Sequence, residues 1–516
     1  MPPRPNTAAA LSLLAVLAAF PAGAQPPDRG PIVRVEGGAV AGAQAGDVNV
    51  FKAIPYAAAP VGPLRWRPPR PPLPWRGVRS AAAFGPACLQ PTGAAAITGD
   101  PGPVSEDCLT LNVWAPKGAR GLPVMVWIHG GGHRFGSSSQ PIYDGASFAR
   151  DGVLLVSFNY RLAGLGFFAH PALTREAGPE APLGDYGVMD QIAALKWIRR
   201  NIQAFGGDPR RLTVFGESSS ALDVQALMTA RTASGLFQRA IVESSCAWDA
   251  PVTLAEREAD GVRLAGLAGL QGADATPAAL RALPADAFLD PGFSFEFAPF
   301  PDGRLLTRTS AQAFAEGRAA AIPLIVGSNS DEGVIARSFE GLGELPRQLA
   351  ALYPNGAKGD TALRQLYTDR YFGAPCRWIA RQQARRTPTY LYRFSYVPTA
   401  LRGALPGAPH GGELAFVFDS WDAMGPASAP SPEDRATTRR LHGCWVAFAR
   451  TGRPDCPGTP PWPAYSPKAD ALMDFDVTTQ VRSQVRKPQD DALDRLVLPT
   501  LLRADPRSPP ETAKRP

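Results

Sequence analysis

Histidine is scarce in this chain, with five residues in 516, and any histidine acting as a general base must come from that short set. Charge is sparse as well. Asp, Glu, Lys and Arg make up 19 % of the residues and are nowhere gathered into a basic or acidic block. The net charge of +7 becomes +6 without the first 24 residues, which hold Arg4 and no acid. An excess that small and that dispersed bears on solubility and weak attraction to anionic surfaces, and it excludes a nucleic-acid footprint. No internal repeat is present. Beyond the N-terminus no apolar run reaches the roughly 20 residues of a spanning helix, so stable membrane insertion is not expected.

The N-terminus reads as a secretory leader: Arg4, an apolar stretch from Ala8 to Phe20, and Ala22-Gly23-Ala24 as a cleavage site before Gln25. The apolar stretch is too short to span a bilayer, and Gln25 stands where a lipid anchor needs cysteine. The expectation is an exported protein, periplasmic or secreted, with residues 1–24 as signal peptide, 25–503 as one domain and 504–516 as a frayed tail. Strand-like and helical stretches alternate along the chain, as a mostly parallel central sheet flanked by helices requires. High Pro and Gly content suits large loop insertions.

Chemistry-bearing residues lie where such strands end. Leu212 to Ala221 (LTVFGESSSA) is an apolar strand running into a turn of small residues, with Ser218 at the tip. In the G-x-S-x-G pattern the serine sits on a sharp strand-to-helix turn, which needs small residues two before and two after. Gly216 meets the first demand, whereas Ser220 replaces the second glycine, so a tighter turn is expected. Val124 to Ile128 is a second buried-strand pattern, ending in His129-Gly130-Gly131-Gly132. Consecutive glycines let backbone N–H groups face a cavity and stabilise a developing oxyanion, and an HGGG-type loop is the partner that a nucleophile elbow requires.

The order serine, acid, histidine expected of an α/β-hydrolase places the base in the C-terminal half, where only His410 and His442 occur. His410 lies in a Pro/Gly-rich loop after the strand-like run Tyr390 to Phe394, a position suited to catalysis. His442 falls inside a helix opening at Ser431-Pro432-Glu433, beside Leu441, Trp445 and Phe448, and reads as structural. Of the others, His129 holds backbone, His170 is packed or at the surface, and His133 is a plain loop residue or faces the site. Ile322 to Gly333 is another buried strand emptying into a polar loop, and by pattern either Asp331 or Glu332 can orient the histidine. Glu217 reads as a buried structural carboxylate.

Several segments together resemble the type B carboxylesterases, a family that includes the cholinesterases and their non-catalytic adhesion relatives. They are Phe51 to Pro69, SEDCLTLNVWAP (Ser105 to Pro116), WIHGGG (Trp127 to Gly132), NYRLAGLGFF (Asn159 to Phe168), Asp190 to Ser218, SGLFQRAI (Ser234 to Ile241) and FARTGRPD (Phe448 to Asp455). The resemblance covers most of the mature chain. It implies a triad of Ser218, Glu332 and His410, with the glutamate matching Glu332 and not Asp331. It also implies oxyanion donors at the backbone N–H groups of Gly131, Gly132 and Ser219. No metal and no cofactor is implied. Two departures stand out: Ser219-Ser220 where the family usually has Ala-Gly, and Asp223 where it tends to have serine.

The resemblance further implies a Cys88 to Cys108 disulfide. Cys376 matches a family cysteine whose usual distal partner is missing here; Cys444 and Cys456 are near enough in sequence to pair, which leaves Cys246 free or paired with Cys376. The segment enclosed by Cys88 and Cys108 lacks the aromatic residue with which cholinesterases hold a quaternary ammonium, so a choline ester is not the expected substrate. Phe293, Phe295 and Phe297 resemble the family's aromatic acyl-pocket segment, with Trp248 closing the same pocket; an ordinary buried aromatic strand fits the pattern equally. A narrow pocket favours short acyl groups. The leading expectation is a serine carboxylesterase acting on small or aromatic esters through an acyl-enzyme. The alternatives are a non-catalytic binding protein of the same fold, or a lipase or natural-product esterase. The sequence sets no oligomeric state.

Overall fold

The computed structural model describes residues 30–91, 99–248, 252–289, 297–425 and 429–503. The expected leader, the C-terminal tail, Phe293 and Phe295 lie outside the described residues.

Eleven strands form the main sheet among the described residues: β1 (Ala43–Ala45), β2 (Val48–Pro55), β3 (Thr110–Pro116), β4 (Leu122–Ile128), β5 (Leu154–Phe158), β6 (Gly207–Glu217), β7 (Arg239–Glu243), β8 (Leu324–Asn329), β9 (Thr389–Phe394), β10 (Ala471–Phe475) and β11 (Gln480–Ser483). Their order across the sheet is β11-β10-β9-β8-β7-β6-β4-β5-β3-β2-β1. From β10 through β5 all neighbours are parallel, while both rims are antiparallel. This is an α/β-hydrolase sheet, mixed at its edges and parallel in its centre.

The central strands are apolar throughout because both of their faces are covered. Along β4, Val124, Val126 and Ile128 enter one core, while Met125 and Trp127 enter the other. The same alternation divides Leu212 and Val214 from Phe215 on β6, and Ala240 and Val242 from Ile241 on β7. A period-2 backbone between two helical layers therefore produces continuous apolar runs. On the first face lie α1 (Tyr186–Asn201), α2 (Ser219–Thr229) and α3 (Ala374–Gln383), through residues such as Leu195, Val224 and Ile379. On the second lies α4 (Pro432–Thr451), through Leu441, Trp445 and Phe448. Its start is fixed by a capping box: Asp434 N–H donates to Ser431 Oγ at 3.1 Å and Ser431 N–H to Asp434 Oδ2 at 2.8 Å. Gly452, left-handed at φ 79, ends it.

Long connections follow β7, β8 and β9, and they carry the insertions expected from the Pro and Gly content. Disulfides join Cys88 to Cys108, Cys246 to Cys376 and Cys444 to Cys456. No described helix is long and apolar enough to cross a membrane.

Candidate active site

Four segments leave the C-terminal ends of β4, β6, β8 and β9 and converge, as ligand sites in parallel α/β sheets do. β6 ends at Glu217 and α2 begins at Ser219, so Ser218 alone makes the turn, with φ 60 and ψ −130. That conformation is strained for a residue with a side chain and persists because its surroundings fix it. Ser218 N–H donates to Glu243 O at 2.9 Å, and Ser218 O accepts from Ala221 N–H at 2.9 Å. A Cβ at Gly216 would lie 2.7 Å from Ser220 Oγ, and one at Gly130 would lie 2.7 Å from Glu217 O. The turn is therefore tight, and Ser220 fits it by using its hydroxyl, which reaches Ile128 O and Glu217 O, both at 2.8 Å. A glycine at 220 would leave these contacts unmade.

The loops after β8 and β9 are fastened to one another. Asp331 N–H donates to Ala408 O at 2.9 Å, Ala408 N–H to Ser330 Oγ at 2.9 Å, and Asn329 Nδ2 to Pro409 O at 2.8 Å. This brings His410 against both of the other expected residues. His410 Nε2 is 2.8 Å from Ser218 Oγ, and His410 Nδ1 is 2.6 Å from Glu332 Oε2. Glu332 is fully buried, and its other oxygen accepts Asn329 N–H at 2.6 Å. Asp331, the alternative acid, instead pairs with Arg364. The ring of Phe372 stands edge-on to His410 at 5.4 Å.

Further carboxylates surround the histidine. Glu217 Oε1 lies 3.2 Å from His410 Nε2. Glu413 bonds Asn329 Nδ2 and Ser244 Oγ, and Glu243 accepts Trp445 Nε1–H at 3.0 Å. Burial pushes Glu217 up to about 8 and Glu413 up to about 7, and it raises Glu243 well above the usual carboxylate range. Burial alone would lower His410, but the facing carboxylates of Glu217 and Glu332 more than reverse it, to about 10. The pair contact of Glu217 with His410 depends on where the β9 loop folds back, so no local pattern announces it.

Across the turn, Gly131 and Gly132 have φ 114 and 63, and a Cβ at Gly131 would collide with Phe135 O at 2.1 Å. Both conformations favour glycine, which carries no Cβ. His129 holds this loop: Nδ1 meets Gly130 O at 2.9 Å, the ring stacks on Tyr160 at 4.7 Å, and burial drives its pKa down to about 4. His442 is buried in α4 with Nδ1 on Val417 O at 2.7 Å, and His170 caps the helix Pro171–Ala177 through Ala172 N–H.

His133 departs from the plain loop reading. It is 2 % exposed, with Nε2 3.0 Å from Asp223 Oδ1 and Nδ1 2.8 Å from Phe297 O. Asp223, unexplained by pattern, thus has a partner; the signal in the sequence is Asp223 itself, an acid where the family tends to have serine. Trp248 is fully buried, against Trp378 at 6.4 Å. Among the described residues no cluster of three or more His, Cys, Asp or Glu side chains could hold a metal ion.

This sheet, with a serine at the β6–α2 turn, defines the class of serine hydrolases built on the α/β-hydrolase fold. The carboxylesterase family model matches residues 29–348 and 350–493, so the chain belongs to the carboxylesterase family and is a carboxylic ester hydrolase. It is 37 % identical over 495 residues to the fumonisin B1 esterase of Sphingopyxis macrogoltabida, covering 88 % of each chain. It is 34 % identical over 492 residues to the para-nitrobenzyl esterase of Bacillus subtilis (strain 168), covering 89 % of this chain and 98 % of that one. A solved PNB esterase superimposes with a TM-score of 0.81 at 32 % identity, over 90 % of this chain and 99 % of the other.

Proposed function

We propose that Ser218, His410 and Glu332 hydrolyse small or aromatic carboxylic esters through an acyl-enzyme. The observation that carries this reading is the chain of contacts from Ser218 Oγ to His410 Nε2 at 2.8 Å and from His410 Nδ1 to Glu332 Oε2 at 2.6 Å. Ser218 Oγ attacks the ester carbonyl while His410 takes its proton; Glu332 fixes the ring and stabilises the imidazolium. The tetrahedral oxyanion is received by the N–H groups of Gly131, Gly132 and Ser219, assisted by the positive end of α2. His410 then protonates the leaving alcohol, and water releases the acyl group by the reverse sequence. Relatives named for para-nitrobenzyl esters and for phenmedipham support an aromatic component in the substrate. Phe293 and Phe295 are assigned to the acyl pocket by the family resemblance, and Trp248 closes the same pocket.

The chain is exported: residues 1–24 form the leader, 25–503 the hydrolase domain and 504–516 a tail. The bridging of all six cysteines supports an oxidising destination.

Steady-state hydrolysis of p-nitrophenyl esters of increasing acyl length, by the mature protein beside Ser218→Ala, tests the reading. Expected are turnover that falls by about 10⁴-fold or more in the variant and a decline with longer acyl chains. Turnover undiminished in Ser218→Ala would overturn the triad. Folded protein with no turnover on any ester would favour a binding role, and a preference for long acyl chains would favour a lipase.

A further inference from the structure

The pair formed by His133 and Asp223 adjoins the proposed oxyanion loop, His133 being the residue after Gly132. His133 is left-handed at φ 56, its N–H donates to Ser219 Oγ at 3.2 Å, and its carbonyl accepts Ala163 N–H at 2.7 Å. The residue after Gly132 is thereby clamped to the first turn of α2. Ser219, where the family usually has alanine, provides the hydroxyl that makes this clamp.

The ring continues the connection. A carboxylate and a carbonyl are both acceptors, so with Asp223 ionised the bonds from Nε2 to Asp223 and from Nδ1 to Phe297 O are both made when each nitrogen carries a proton. In that pairing His133 is the imidazolium, and its ring packs on Phe167 at 4.8 Å. Asp223 sits four residues past Ser219 on α2, fully buried, with its second oxygen accepting Gln191 Nε2–H at 2.7 Å. A carboxylate so deep is strongly disfavoured without a cationic partner, and His133 supplies one.

We propose that the His133–Asp223 ion pair is the positioning device of the oxyanion hole, holding Gly131 and Gly132 in place over Ser218 and fixing the chain at Phe297. The proposal rests on the esterase reading given above. Neither residue acts on substrate; both are positioning residues, and each requires the other. Removal of His133 strands a buried carboxylate, and removal of Asp223 strands a buried cation. A pair that served only to stabilise the fold would change the melting temperature and leave the turnover of folded molecules intact.

The test compares His133→Phe, Asp223→Ser, Asp223→Asn and the His133→Phe/Asp223→Ser double variant with the unaltered chain and Ser218→Ala. Four quantities are read: kcat and KM on p-nitrophenyl butyrate, inhibition by an alkyl trifluoromethyl ketone whose adduct with the serine places an oxyanion in the hole, and circular dichroism. His133→Phe should lower kcat by about 100-fold and weaken the ketone in proportion, as loss of an oxyanion donor does, with KM changed by less than about 3-fold. The double variant should regain about 10-fold of kcat over His133→Phe, because the stranded carboxylate is gone too. Asp223→Asn keeps the side-chain volume and should fall between these, which keeps the proposal testable if His133→Phe does not fold. Folded variants with kcat and ketone inhibition matching the unaltered chain would overturn the proposal, as would a double variant no better than the sum of its single changes. If the unaltered chain itself lacked Ser218-dependent turnover, the esterase reading would fall first and this proposal with it, an outcome separable from active chains with indifferent variants.

Discussion

At the scale of single residues, Glu217 is the side chain whose surroundings say more than its place in sequence. Adjacent to Ser218, it reads as a structural carboxylate, yet its Oε1 stands 3.2 Å from His410 Nε2. The two share one electrostatic problem: burial raises Glu217 to about 8, and the carboxylates around His410 raise the imidazole to about 10. A general base works only when neutral, so activity must fall as pH drops through the raised histidine pKa. Replacing Glu217 by Gln removes a negative charge that favours the imidazolium. The histidine pKa then drops, and the acid limb of kcat/KM should move about one unit to lower pH. A pH profile on p-nitrophenyl acetate checks this; an unmoved limb would exclude the contact as a determinant of His410. Apolar runs mark the strands that Ser218 and His410 follow and narrow the acid to Asp331 or Glu332, and the family resemblance points to Glu332, the residue found against His410. Glu217 toward His410, and His133 toward Asp223, were not legible, because those contacts arise only when separate loops close on one another.

At the scale of elements, the buried strands were the most legible feature. Val124 to Ile128 and Tyr390 to Phe394 match β4 and β9 within a residue or two, since a run apolar on both faces can be satisfied only between two layers. The start of β6 was not: Leu212 opens the apolar run, but the strand reaches back to Gly207 through a register irregularity against β4 that polar residues conceal. The antiparallel pairing at the rims was equally hidden, because the direction in which a strand runs beside its neighbour is set by the connections and not by its own residues. Covalent links show the same contrast. The Cys88 to Cys108 bridge closes 20 residues, part of which lie outside the described chain. Replacing both cysteines by serine frees that loop in the unfolded ensemble and should cost about 3 kcal/mol on the chain-entropy estimate. Urea denaturation of the double variant measures it, and a midpoint equal to that of the unaltered protein would show that the bridge does not constrain unfolding.

At the scale of the whole molecule, the disulfides and the proposed leader make one argument about where this chain folds. Cys246 and Cys376 are 130 residues apart, and their bridge ties the segment after β7 to α3 across the long connections around β8. Closing so long a loop is worth about 5 kcal/mol on the same entropic estimate, comparable with the whole net stability of many domains. A cytosol that keeps thiols reduced would forgo it, whereas an exported chain acquires it. Two measurements on protein recovered from outside the cytosol follow. Its first residue should be Gln25, and after denaturation without reductant it should show no reactive thiol. Residues 25–516 produced in a reducing cytosol should expose six thiols per chain and melt at a lower temperature until oxidised. Equal melting of the reduced and oxidised forms would mean that the sheet and its two cores hold the molecule without covalent help, and the cysteines would then say nothing about the compartment.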